Sequence, residues 1–168
     1  MNIQITVDGA CNKWKRMAVG YVVRDASTQK ILDRGHRAIS GRGTNNVSEY
    51  IAILTACDIA RQLKPKKVII YTDSQLVLRQ LKGEYAVRNV RLRTLFRLAI
   101  SQLRALRAVV RWHSREEGDG PLADKLASYR YKEALNAGNN GEVQQGGTGK
   151  HDCRPPAETA GHETSCGG

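Results

Sequence analysis

Between Asn2 and Val7 apolar and polar residues alternate, Ile3, Ile5 and Val7 against Gln4 and Thr6. That period of two predicts a strand with one buried face, running into Asp8-Gly9, where the glycine permits a sharp exit. Val19–Val23 and Ile31–Ile39 read as two further strands joined by a turn at Asp25-Ala-Ser-Thr28, so the chain opens as an antiparallel meander. After the polar loop Ser40–Asn46 the period changes. Val47, Tyr50, Ile51, Leu54 and Cys57 fall at helical spacing, and Pro65 ends that helix near Leu63. Val68–Thr72 is then a short β-branched run of the kind that suits a central strand covered on both faces, and it stops at Asp73. Ser74–Leu81 reads as a short helix halted by Gly83, and Leu92, Leu95, Phe96, Ala99, Leu103 and Leu106 mark a longer amphipathic one. Arg93, Arg97 and Arg104 line its solvated side. Ala108–Trp112 is a last strand, followed by a polar loop, His113–Gly120, and a helix with Pro121 in its first position and Asp124 in its first turns.

Strands and helices in this order predict an α/β domain with a mixed sheet, spanning residues 1–135. From Asn136 onward large apolar residues almost vanish among Gly, Asn, Gln, Thr and Pro, so residues 136–168 are expected to be a disordered tail. His151, Cys153, His162 and Cys166 lie in that tail, but their spacing matches no compact zinc finger. The four cysteines form no CxxC pair, no charged-then-apolar leader opens the chain, and no apolar run is long enough to span a membrane. A soluble, reduced, cytoplasmic protein without membrane contacts is expected.

Charge adds a partner class. Of the net +11, residues 136–168 hold two basic and four acidic side chains, which leaves +13 on residues 1–135. An excess of that size on one domain favours a polyanionic partner, nucleic acid first. Lys13-Trp-Lys-Arg16 fits either a stacking contact with a sugar or base or a plain surface anchor.

Against this basic background four carboxylates stand at the ends or starts of elements: Asp8, Glu49, Asp73 and Asp124. Each has a local reading as well. Asp73 could cap the helix that follows, and Glu49, with Asn46 as N-cap, would complete a capping box. Strand ends and helix starts can also converge over one sheet edge, where clustered carboxylates resist full ionisation unless cations neutralise them. Paired Mg²⁺ ions would do so, and they can activate a water against a phosphodiester.

Asp8-Gly-Ala10, Thr44-Asn-Asn-Val-Ser-Glu-Tyr50, Tyr71-Thr-Asp-Ser-Gln75 and Ala123-Asp-Lys-Leu-Ala127 resemble, in order, the signatures of type 1 ribonuclease H. Gly83-Glu-Tyr85 and Arg115-Glu-Glu117 resemble its compact archaeal and plant-like branch. The resemblance implies a ribonuclease H-like fold, a five-stranded mixed sheet flanked by helices. It also implies an endonuclease that cuts the RNA strand of RNA–DNA hybrids with two Mg²⁺ ions, Mn²⁺ being able to substitute, and leaves 5′-phosphate and 3′-hydroxyl ends; separately, a monomer is expected. Carried over, Asp8 bridges both ions, Asp124 joins it on the ion presenting the attacking water, and Glu49 and Asp73 hold the other. Asn45, Asn46 and Gln75 match positions that touch the minor groove, where 2′-hydroxyls are displayed. Arg42 and Thr44 match part of a DNA-phosphate pocket.

The chain departs from the family pattern in three places. Cys11–Arg16 replaces a glycine-rich turn, the connector after Gly83 is too short for the extra basic helix of some members, and the loop after His113 lacks a clear match. His113 is accordingly either the mobile auxiliary histidine of many members or an ordinary strand-end residue. Two rivals share the fold: a hybrid-binding module without turnover, and a transposase or integrase core acting on DNA. The four intact carboxylates disfavour the first, and the Thr44–Asn46 and Asp73–Gln75 signatures disfavour the second.

Overall fold

The computed structural model describes residues 1–128. The expected domain end at residue 135, the tail 136–168 and the four tail His and Cys residues lie outside the described residues. The meander forms as its alternation predicts, from β1 (Asn2–Cys11), β2 (Met17–Asp25) and β3 (Ile31–Ile39). Its second turn is held by Asp25, whose Oδ1 accepts the backbone N–H groups of Ser27 and Thr28 at 2.9 and 2.8 Å. After α1 (Asn45–Leu63) come β4 (Lys67–Thr72), α2 (Gln75–Leu81), α3 (Val90–Leu106) and β5 (Val109–Trp112). A last helix, α4, covers residues 120–128.

The five strands lie in the order β3-β2-β1-β4-β5. β1 and β2 pair antiparallel, as do β2 and β3, whereas β1–β4 and β4–β5 pair parallel, from Asn2 opposite Lys67 and from Ile69 opposite Val109. Because side chains alternate across the sheet, β1 divides its work between two faces. Ile3, Ile5 and Val7 join Val19 and Val23 in the core beneath Tyr50, Ile53 and Cys57 of α1 and Leu92, Ala99 and Leu103 of α3. Gln4, Thr6 and Asp8 face the other way. Among the described residues no helix is long and apolar enough to cross a membrane.

Two glycines set how closely the helices approach. Gly9 is not a chain exit: β1 continues to Cys11, and a Cβ on Gly9 would stand 2.4 Å from the backbone carbon of Ser48. The missing side chain lets the first turn of α1 rest directly on β1, which brings Glu49 to Asp8. On the opposite face a Cβ on Gly20 would lie 2.0 Å from the carbonyl oxygen of Ala123, so α4 seats on β2 in the same way.

The start of α1 also differs from the local sequence pattern. Thr44, not Asn46, is the N-cap, its hydroxyl accepting the Val47 N–H at 3.4 Å. Glu49 is therefore the fifth helical residue and caps nothing. Likewise Ser74, not Asp73, caps α2, accepting the Val77 N–H at 3.4 Å. Gly9→Ala should destabilise the protein by at least about 1–3 kcal/mol, the usual cost of overpacking, since the clash is with backbone. A melting temperature unchanged from wild type would contradict that close approach.

Candidate active site

Asp8 lies within β1, Asp73 follows β4, and parallel pairing of those two strands sets their carboxylates side by side. With Glu49 delivered by α1, the three residues each offer an oxygen within 4.8 Å of the others. Asp8 and Glu49 are buried. Asp73 is fixed from two directions: the Trp112 indole N–H donates to its carbonyl at 3.2 Å, and Arg115 Nε donates to its Oδ2 at 2.7 Å.

Concentrated negative charge in a dry place raises proton affinity. Burial first, and then the charges of Asp73 and Asp124, push the Asp8 carboxyl from its ordinary 3.8 up to about 7, with Arg115 opposing. Burial and the charges of Asp8 and Asp73 push Glu49 up to about 9, against Arg115 and the Gly9 N–H. Both oxygens of Asp8, Oε2 of Glu49 and Oδ1 of Asp73 are buried without a hydrogen-bond partner. Orphaned oxygens of this kind are rare, because leaving them unsatisfied costs about 1–3 kcal/mol each. Hard oxygen donors, several of them anionic and unsatisfied, suit a Mg²⁺-type cation.

Along the chain Arg115 stands out only as part of a branch-like tripeptide, yet in the fold it reaches three of the four carboxylates. Besides Asp73, its guanidinium lies 3.5 Å from Asp8 and 3.9 Å from Asp124, which is itself partly exposed on α4. The hydrogen bond to Asp73, more than the other carboxylates' charges, raises its own proton affinity. A second unforeseen pair ties down the loop that carries it: Arg24 of β2 grips Asp119 in two places, Nε to Oδ2 at 2.5 Å and Nη2 to Oδ1 at 2.7 Å. Neither contact has a local signature, because 95 residues separate Arg24 from Asp119.

His113 is not among the three residues so grouped. Its Nδ1 is 2.6 Å from the Ser114 carbonyl, its ring edge meets Tyr71 at 6.1 Å between centroids, and its Nε2 is buried without a partner. It borders a cavity of roughly 340 Å³ shared with Gln4, Thr6, Tyr71 and Asp119. Arg42, Thr44, Asn45, Asn46 and Gln75 are exposed, with Asn45 and Gln75 as the first residues of α1 and α2. Beside them the β1–β2 hairpin presents Trp14, whose ring lies 4.5 Å from Lys13 Nζ; Asn12 Oδ1 orders this hairpin by accepting the Trp14 and Arg16 N–H groups.

Residues 6–129 match the family model described as reverse transcriptase-like. The chain belongs to that family. Its likeness to type 1 ribonucleases H, read from four motifs, is matched by solved structures. RNase H1 from the halophilic archaeon Halobacterium salinarum NRC-1 aligns with a TM-score of 0.72 at 27% identity, over 79% of this chain and 99% of that one. The N-terminal RNase H domain of Rv2228c from Mycobacterium tuberculosis, a fusion with maltose-binding protein, gives 0.72 at 28% over 82% and 98%. LC11-RNase H1 in complex with an RNA/DNA hybrid gives 0.71 at 25% over 80% and 99%. Among curated relatives, the bifunctional protein Rv2228c is 33% identical over 91 residues, 53% of this chain but 24% of that protein. The chain thus spans about a quarter of the length of the curated relatives it matches. The five-stranded mixed sheet with helices on both faces is the ribonuclease H fold.

The upward shifts set a pH dependence. Folded Asp8 and Glu49 hold protons that the unfolded chain releases above about pH 4, so their stabilisation is complete in acid and lost as pH rises through about 7 and then about 9. The metal-free protein should therefore lose more thermal stability across that range than the Asp8→Asn/Glu49→Gln variant. Added Mg²⁺ should restore wild type most at the alkaline end. Parallel profiles for the two proteins would contradict this.

Proposed function

We propose that this chain is a metal-dependent endonuclease that hydrolyses the RNA strand of RNA–DNA hybrids and leaves 5′-phosphate and 3′-hydroxyl ends. The observation that carries the reading is the carboxylate cluster itself, three acidic side chains that each bring an oxygen within 4.8 Å of the others, with four of their carboxylate oxygens orphaned, on a basic domain. A solved relative's description as an RNA/DNA hybrid complex supports the choice of substrate.

Asp8, Glu49, Asp73 and Asp124 would hold the Mg²⁺ ions, with Asp8 central to the set. When bound, the two ions supply an activated water and charge neutralisation at the scissile phosphate. The remaining work falls to the chain's own groups. Arg115 competes with a cation for oxygens of Asp8 and Asp73, and once released its guanidinium is free to meet phosphate. Asn45, Asn46 and Gln75, exposed at two helix starts, would read the minor groove, where a 2′-hydroxyl marks RNA. Arg42 and Thr44 would steady a DNA phosphate. The hydroxyl of Thr44 is already the α1 cap, so such a contact would have to share it. Burial of Asp8 and Glu49 keeps bulk water from competing with the cations. The domain would act as a cytoplasmic monomer.

Labelled RNA–DNA hybrid, double-stranded DNA and double-stranded RNA, each incubated with protein and Mg²⁺, separate this reading from its rivals. Only the RNA of the hybrid should be cut. Asp73→Asn should lower kcat at least about 100-fold, roughly 2.7 kcal/mol at the transition state, while hybrid binding survives. Cleavage of duplex DNA instead, or wild-type turnover by Asp73→Asn, would sink the assignment.

A further inference from the structure

At the other pole of the sheet, where β1, β4 and β5 begin, a groove of roughly 600 Å³ is walled by Lys66, Lys67, Arg107 and Arg111 over an apolar floor that includes Ile69 and Val109. No carboxylate lines it. The nearest acidic residue in sequence, Asp25 beside the lining residue Ala26, already accepts two backbone N–H groups. Four arginines elsewhere do meet carboxylates, Arg24 with Asp119, Arg37 and Arg61 with Asp58, and Arg115 with the catalytic candidates. None of the four groove cations has a carboxylate within ion-pair distance among the described residues.

Local structure explains only part of this concentration. Arg107 caps α3, where a cation complements the helix C-terminus, and Arg111 lies on edge strand β5, where a charge discourages strand pairing. Lys66 and Lys67 have neither role. They lie beyond the C-cap of α1 and lead into β4, an interior strand. Four like charges around one concave surface repel one another, and a polyanion relieves that repulsion.

Position sets the groove apart from the carboxylates. Asn2 and Lys67 begin the strands that deliver Asp8 and Asp73, and at about 3.3 Å per residue the two poles are roughly 20 Å apart. A duplex seated over the carboxylates meets the strand ends, while the groove opens at the strand starts. We propose that this groove is a second nucleic-acid docking site that takes the phosphate backbone of a duplex segment other than the one in the active site. Through it the protein would stay attached to a long substrate, or bridge two, between cuts. The choice of nucleic acid as the polyanion rests on the nuclease reading, whereas the presence of an anion site rests on the groove alone.

The test uses the full chain, in EDTA to prevent cleavage, titrated calorimetrically at low salt with a hybrid of about one helical turn, far below the persistence length of about 150 bp and so too stiff to bend from the strand ends round to the strand starts. Wild type should show a second, weaker site. Lys66→Gln/Lys67→Gln/Arg107→Gln/Arg111→Gln should lose that site and keep the first, while Lys66→Arg/Lys67→Arg/Arg107→Lys/Arg111→Lys keeps both. All four side chains are exposed, so folding is not at stake, and unchanged kcat and KM on the same hybrid with Mg²⁺ would verify that the active site is intact. The lost site should have a log–log salt slope near −3.6, about 0.9 for each of four phosphate contacts. A single site in wild type, or two in the glutamine variant, would overturn the proposal. So would binding of phosphatidylserine-rich vesicles in place of a second duplex, which would mark a membrane-facing surface. Failure of wild type to cut hybrid would sink the nuclease reading while leaving this stoichiometry to be read on its own.

Discussion

Carboxylates repel one another, and the architecture of this domain makes sense as the apparatus that forces several of them together. Asp8 and Asp73 are adjacent because β1 and β4 run parallel and in register. Glu49 joins them because Gly9 has no side chain to hold α1 away. The cost of this arrangement is visible in the raised proton affinities of Asp8 and Glu49 and in four oxygens without a donor. Such a site is held by the surrounding core rather than by its own contacts, and it gains stability from whatever cation enters it.

Arg115 is the cation the chain itself supplies. It satisfies Asp73 directly and lies near Asp8 and Asp124, but half of its side chain is exposed and it comes from a polar loop. That loop is anchored by Arg24–Asp119 at one end and by β5 at the other. An arginine here can give way to a stronger ligand for the carboxylates without any change in the sheet. On the proposed function the basic character of the domain would act at longer range, drawing a polyanion to the surface, while the acidic centre would do the local chemistry.

Much of this was legible along the chain, because its strongest signals are local. The alternation of β1, the helical spacing from Val47 and from Leu92, and the apolar run ending at Asp73 each placed an element to within a few residues. Local patterns misled where two functions compete for one position. Asp73-Ser74 and Asn46-to-Glu49 both fit capping rules, yet Ser74 and Thr44 are the caps and each of the two carboxylates keeps one oxygen without a donor. Gly9 looked like a turn because its use, a close approach by a helix about 40 residues later, has no sequence-local trace. Arg115 and the Arg24–Asp119 pair were hidden for the same reason, since long-range ion pairs carry no periodicity.

The claim underlying all of this is that the carboxylate cluster is a divalent-cation site whose resting occupant is Arg115. Its most direct test is the side-chain Nε–H resonance of Arg115, followed by NMR as Mg²⁺ is added to the nucleic-acid-free protein. The account predicts a saturable shift as the hydrogen bond to Asp73 is released, and no such shift in Asp8→Asn. A resonance that stays in place at Mg²⁺ concentrations saturating the protein would contradict it.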